Sequence, residues 1–251
     1  MKRNLIFISL AAALGMSLNA NAGTCNTDAW VQPVTAQGGT STTAEMRAGY
    51  EGDCVLVVNK PLSEPDNSSA FVRYNFANGE PRVRGRFLVD PSGMDFDNAA
   101  TGGEARGRVA DIRRPAGGPS LLLSVLIRNN NNSGYQFNVK WVGDDIGGGD
   151  RARGRCTDTW VNLPAGPASI EFDYVFESNA AANDGACTIY LDDVEVGAKT
   201  GLNNGAETTD SMRLGLIRGF QPSYQGEVVI DAVELRRQTS PGCVSGIGAC
   251  P

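Results

Sequence analysis

The chain predicts an all-β fold built as two stacked antiparallel sheets, and three features carry that prediction. Beyond residue 22, apolar and polar side chains alternate with period two in short runs, which is the pattern of half-buried strands. Between the runs stand Gly, Asn, Asp and Pro, with 31 glycines in 251 residues, and these are turn residues. Helical periodicity is nearly missing after the N-terminal segment. Short strands at regular spacing with turns between them make a sandwich.

The first segment reads as an export signal. Lys2 and Arg3 precede an apolar stretch from Leu5 to Leu18, and Ala20-Asn21-Ala22 supplies the small-x-small pattern of a cleavage site. The run is interrupted by Gly15, Ser17 and Asn19, short of the roughly 20 apolar residues a membrane span needs. Residues 1–22 are therefore expected to be a signal peptide, 23–241 one sandwich domain, and 242–251 a disulfide-closed tail. Lipid attachment at Cys25 is disfavoured, because Ala22-Gly23-Thr24 lacks the residues such a site wants. An extracytoplasmic location, periplasmic or secreted, without membrane insertion after cleavage, is the expectation.

The clearest strand is Ile170 to Glu177, where Ile170, Phe172, Tyr174 and Phe176 share one face and Glu171, Asp173 and Glu177 the other. Asn183-Asp184-Gly185 is a hairpin signal, followed by a strand from Cys187 to Val196 with Cys187, Ile189 and Leu191 inward. Further strands are expected at Cys54 to Val58, Ala70 to Phe76, Val83 to Val89, Leu121 to Arg128, Tyr135 to Val142, Met212 to Arg218 and Val228 to Leu235. Leu121-Leu122-Leu123 is apolar on both faces, as in a central, covered strand. Gly102 to Ser120 and Gly143 to Arg155 read as long rim loops.

Six cysteines (Cys25, Cys54, Cys156, Cys187, Cys243 and Cys250) read as three disulfides in an exported protein. The connectivity is open; nearest neighbours are the preferred set, Cys25 with Cys54, Cys156 with Cys187, and Cys243 with Cys250. The chain has no histidine, which removes Ser-His-Asp and Cys-His catalysis and histidine-bound metals. Its 22 basic against 28 acidic residues argue against nucleic acid, whose phosphates need a basic surface. Oligomeric state is left open by the sequence.

Several segments together resemble a known family. Tyr50-Glu51-Gly52, the strand Arg82 to Pro91, Ile170-Glu171-Phe172-Asp173-Tyr174, Ala182-Asn183-Asp184-Gly185 with Ile189-Tyr190-Leu191-Asp192, Arg213-Leu214-Gly215, and Asp231-Ala232 with Arg236-Arg237-Gln238-Thr239 resemble exported bacterial domains of the laminin-G or concanavalin-A type. The resemblance covers about Tyr50 to Gly242 and implies a two-sheet antiparallel jelly roll. It implies no catalytic residues, since such a fold carries lectins, hydrolases, lyases and adhesion modules alike.

Candidate sites follow from charge and alternation. Arg82, Arg84 and Arg86 line one face of one strand. Against Glu171 and Asp173 on a neighbour they would form cross-strand ion pairs worth about 0.2 to 1 kcal/mol each. Alternatively Arg84, Arg86, Glu171 and Asp173, with Lys140 and with Tyr190 or Trp141 as stacking platform, would bind sugar. The Glu171, Asp173, Glu177 set fits a hydrolase poorly, because residues six apart on a strand stand about 20 Å from each other, whereas a retaining pair needs roughly 5 to 5.5 Å. Polysaccharide lyases on similar jelly rolls typically pair a histidine with a tyrosine, and the histidine is absent. Asp144, Asp145 and Asp150 lie in a Gly-rich acidic segment that could hold calcium through oxygen ligands, with turn chemistry the preferred account; Asp90, Asp95 and Asp97 form a second such loop. No other cofactor is expected.

The reading is an exported module that binds carbohydrate or a cell-surface glycan without catalysis. The alternatives are a glycoside hydrolase or polysaccharide lyase working through carboxylates and Tyr190, and a structural envelope domain with no small ligand.

Overall fold

The computed structural model describes residues 32–37, 43–48, 54–62, 69–96, 106–114, 121–130, 133–145, 151–179, 182–205, 209–220 and 223–236. Every paired strand in them is antiparallel, and they form two sheets. The first has the order β1 (Gln32–Gln37), β4 (Ser69–Glu80), β15 (Thr209–Arg218), β7 (Arg106–Arg113), β8 (Leu121–Asn130), β9 (Gly134–Asp145), β10 (Arg151–Arg155), with β11 (Val161–Asn162) also on β9. The second has the order β14 (Val194–Leu202), β13 (Gly185–Leu191), β12 (Ala168–Val175), β5 (Arg82–Asp90), β16 (Gln225–Arg236), β3 (Cys54–Lys60), β2 (Thr43–Ala48), with β6 (Met94–Asp95) on β16. This is the predicted two-sheet jelly-roll sandwich.

The core is the set of inward positions of both sheets. Phe137, Val139, Val125, Ile127, Met212 and Leu214 come from the first sheet; Phe87, Val89, Ile170, Phe172, Ile189 and Ile230 come from the second. All of these are essentially without solvent exposure, and burying each such side chain is worth about 1.5 to 3 kcal/mol. Phe96 closes one end of the core against Tyr224, with ring centroids 5.3 Å apart. The inward face predicted for Ile170, Phe172, Tyr174 and Phe176 is the one observed.

Three sequence expectations need correction. The segment 102–120 is not one loop, because β7 runs through it and pairs with both β15 and β8. Nor is 143–155, where β9 extends to Asp145 and β10 returns beside it. The strand expected from Cys187 to Val196 is two strands, β13 and β14, joined at Asp192-Asp193. Both aspartates have positive φ, 48° and 68°, as a tight hairpin turn of the primed type requires.

Cys156 and Cys187 form the expected disulfide. Cys156 follows β10 in one sheet and Cys187 sits within β13 in the other, so the bond ties the sheets together. Cys25, Cys243, Cys250 and the proposed signal and tail lie outside the described residues, as does the side chain of Cys54. Replacing Cys156 and Cys187 together by alanine should lower stability by about 2 to 4 kcal/mol, read from the urea midpoint of oxidised protein; an unchanged midpoint would show that the sheets need no such tie.

Candidate functional site

Arginine meets two different environments on the outer faces of this sandwich. On the second sheet, cross-strand register sets Arg86 opposite Glu171 and Arg84 opposite Asp173, with Glu171 in turn opposite Tyr190. Arg82 donates to Asp173 at 2.6 and 2.9 Å, and this bond raises its pKa. Arg84 lies 3.6 Å from Glu171 and 3.5 Å from Asp173. Arg86 reaches Glu234 at 3.1 Å, and Glu234 also accepts from Arg236. Each guanidinium has a carboxylate: Arg82 and Arg84 meet Asp173 and Glu171 as the sequence led one to expect, while Arg86 reaches Glu234 of β16, which the sequence did not single out.

Tyr190 stands on this face, its pKa raised by burial and then by Glu195. Arg84, Arg86, Glu171, Asp173 and Tyr190 are thus brought together. Lys140 is not among them: it projects from β9 on the outer face of the opposite sheet. Glu177 also departs from the expected solvent face; it is buried after the end of β12, and its Oε2 accepts from the Asn183 backbone N–H at 3.0 Å.

The outer face of the first sheet holds a groove of about 680 Å³. Its lining includes Arg106 and Arg108 of β7, Lys140 of β9, Arg153 and Arg155 of β10, and Arg218 at the end of β15, and no carboxylate. Register places Arg155, Lys140, Ser124, Asp111, Arg213 and Arg73 in one row across six strands. Of the six groove cations, Arg108 approaches Asp111, at 3.4 Å. Among the described residues the other five make no ion pair.

Asp111 is the acid on which this face converges. Fully buried, it accepts from Arg213 through both oxygens, with Arg113 at 3.8 Å. Burial together with Arg213 pulls the pKa values of Arg108 and Arg113 down. Lys140 is also lowered, by burial first and then by Arg106, Arg155 and Arg108. Crowded like charges of this kind cost stability.

A repeated tripeptide builds both walls. Arg-Gly-Arg occurs at 84–86, 106–108 and 153–155. In each, a Cβ on the glycine would stand 2.2 to 2.4 Å from an aromatic ring: Phe172 under Gly85, Phe220 under Gly107 and Trp141 under Gly154. An aromatic ring packed where the glycine has no side chain lets the strand lie close to the core while both arginines project outward. The first copy is neutralised by the second sheet's acids; the other two face the groove.

β10 is held from behind as well. Cys156 N–H donates to Val139 C=O at 2.8 Å, and buried Asn138 donates to Thr157 Oγ1 at 2.7 Å and Thr159 C=O at 2.9 Å. Beyond the groove, Arg128 stacks 4.2 Å over the Trp160 ring and donates to Gln136 at 2.8 Å. Arg106, Arg108, Arg153 and Arg155 were missed by strand reasoning, since both their strands read as loops; the recurring Arg-Gly-Arg is the signal that finds them.

Asp144 and Asp145 end β9, their side chains and Asp150 lying outside the described residues. No group of three or more candidate metal ligands of the His, Cys, Asp and Glu types occurs among the described residues.

Neither family models nor curated proteins return a match to the chain. Solved structures do. The chain is similar to an endo-β-1,4-glucuronan lyase from the fungus Trichoderma reesei, with TM-score 0.56 and 14% identity over 83% of this chain and 91% of that one. It is similar to a mutant of the alginate lyase Aly36B in complex with an alginate trisaccharide, with TM-score 0.56 and 11% identity over 83% of this chain and 100% of that one. It is also similar to the Emp47p carbohydrate recognition domain, with TM-score 0.51 and 12% identity over 84% and 90%. At these identities the likeness is one of fold: a jelly roll shared by carbohydrate-binding domains and polysaccharide lyases.

The crowding of Lys140 has a sign. Its folded pKa lies below the ordinary 10.5, so the protonated form is disfavoured in the fold; the penalty is full below the folded pKa and fades as pH rises to the ordinary value. Lys140→Met should therefore raise Tm at neutral pH, with the gain shrinking in alkaline buffer. A lower Tm would mean that Lys140 serves stability.

Proposed function

We propose that this protein is an exported carbohydrate-binding module whose ligand is an acidic polysaccharide, held in the groove on the outer face of the first sheet. One observation carries the reading: five groove cations have no ion pair among the described residues, on a chain whose net charge is −6. Among the described residues, the acids Glu171, Asp173 and Glu234 are engaged on the second sheet's arginine ladder. A guanidinium offers a planar fork that matches a carboxylate, so sugar carboxylates would complete the site. Fold neighbours that act on glucuronan and alginate, both acidic polymers, support the same ligand class. The Cys156–Cys187 disulfide fits an oxidising, extracytoplasmic compartment.

β-Elimination is a second reading, and Lys140 favours it. An amine held toward its neutral form can accept the proton next to the uronate carboxylate while the glycosidic C–O bond breaks, and the ammonium so formed can return that proton to the departing oxygen. Arg155, opposite Lys140 in register, would neutralise the carboxylate beside the carbon that loses the proton. The Glu171 and Asp173 pair of the hydrolase alternative does not line the groove.

Calorimetric titration of alginate and polyglucuronate against neutral glucans tests the proposal. Acidic polymers should bind with an affinity that falls as salt is added, and Arg155→Met should weaken them by about tenfold. Equal binding of neutral glucans, or no binding by folded protein, would refute it. Ultraviolet absorbance from unsaturated product, abolished in Lys140→Met, would add catalysis; retained binding with flat absorbance would leave a pure binding module.

A further inference from the structure

The two Arg-Gly-Arg strands of the groove do not lie side by side. β7 and β10 are separated by β8 and β9, so three interstrand spacings of about 4.8 Å put the arginine pairs roughly 14 Å apart across the strands, and register offsets them further along: Arg155 stands in the row of Ser124, whereas Arg108 and Arg106 stand opposite Leu126 and Arg128. That exceeds the reach of one carboxylate, whose two oxygens are satisfied by a single fork. Between the pairs lie Lys140 and Ser124, directly opposite each other in register, and no acid lines the floor between them. Each arginine pair is fixed on its own strand by its own aromatic ring, Phe220 under Gly107 and Trp141 under Gly154. The backbones that carry the two pairs are thereby held apart.

We propose that the groove is a two-clamp track: the Arg106-Gly107-Arg108 strand and the Arg153-Gly154-Arg155 strand each hold a different acid group of one ligand. The ligand is then an internal stretch of a linear polymer with repeated acid groups, laid across the strands, and not a single acidic sugar. The inference rests on the acidic-polysaccharide reading above and specifies its length and register. Joining two weak contacts through one chain multiplies affinity without new contacts, provided the chain spans both clamps.

Oligouronates from disaccharide to octasaccharide, titrated calorimetrically into the protein, test this. Affinity should stay low for the shortest members and rise steeply, by about a hundredfold, once the chain reaches both clamps, then level off. Arg106→Met and Arg155→Met, each first shown to keep the wild-type circular dichroism spectrum, should each remove about tenfold or more from the longest oligomers. The disaccharide, which can use the remaining clamp, should change by only about twofold. Disaccharide and octasaccharide binding with equal affinity, or either variant losing the same factor at every length, would overturn the two-clamp arrangement while leaving acidic-glycan binding in place. Absence of binding at all lengths would overturn the acidic-glycan reading itself.

Discussion

Where the carboxylates stand decides what each face of this sandwich can do. A guanidinium held partly out of water needs an acid nearby, whereas an exposed one keeps its hydration and is open to a ligand's acid. The second sheet supplies Glu171, Asp173 and Glu234 in cross-strand register with Arg82, Arg84 and Arg86, so its polar face is closed on itself. The first sheet supplies Asp111 to Arg108, Arg113 and Arg213. Lys140, Arg106, Arg153, Arg155 and Arg218 have no such partner among the described residues. Both faces rest on the same apolar interior, and charge rather than fold distinguishes them.

Much of the architecture was legible because alternation survives in the sequence. β12 carries Ile170, Phe172 and Tyr174 against Glu171 and Asp173, a pattern that admits one orientation, and its partner β5 shows the matching arginines. The complementary charges of β5 and β12 made their pairing one of the two arrangements the sequence offered, and it is the one the register shows. Cys156 and Cys187 were joined correctly because each has the other as its neighbour along the chain, and the structure adds that they bridge sheets.

The groove was not legible, for a physical reason. β10 reads Arg-Ala-Arg-Gly-Arg, and a tryptophan of β9 fills the space where Gly154 has no side chain. A strand with no apolar side chain of its own gives no hydrophobic signal. β7 does carry buried Val109 and Ile112, but Gly107 over Phe220 and a register shift between Arg108 and Ala110 break its period of two. Small residues in place of large ones bring backbone close to core, and they also erase the pattern by which strands are recognised. Lys140 was singled out, but with partners on the wrong sheet, because sequence alone does not say which strands share a face.

Fold neighbours that bind or cleave polysaccharides share the scaffold at identities too low to carry residues across, so the ligand class rests on this chain's own charges. The most direct measurement is the map of amide chemical-shift changes when an alginate oligomer is added to isotope-labelled protein. Changes confined to β7, β8, β9 and β10, with the β5 and β12 amides silent, are the predicted result. A map centred on Arg84, Glu171 and Tyr190 would contradict the account and return the binding face to the opposite sheet.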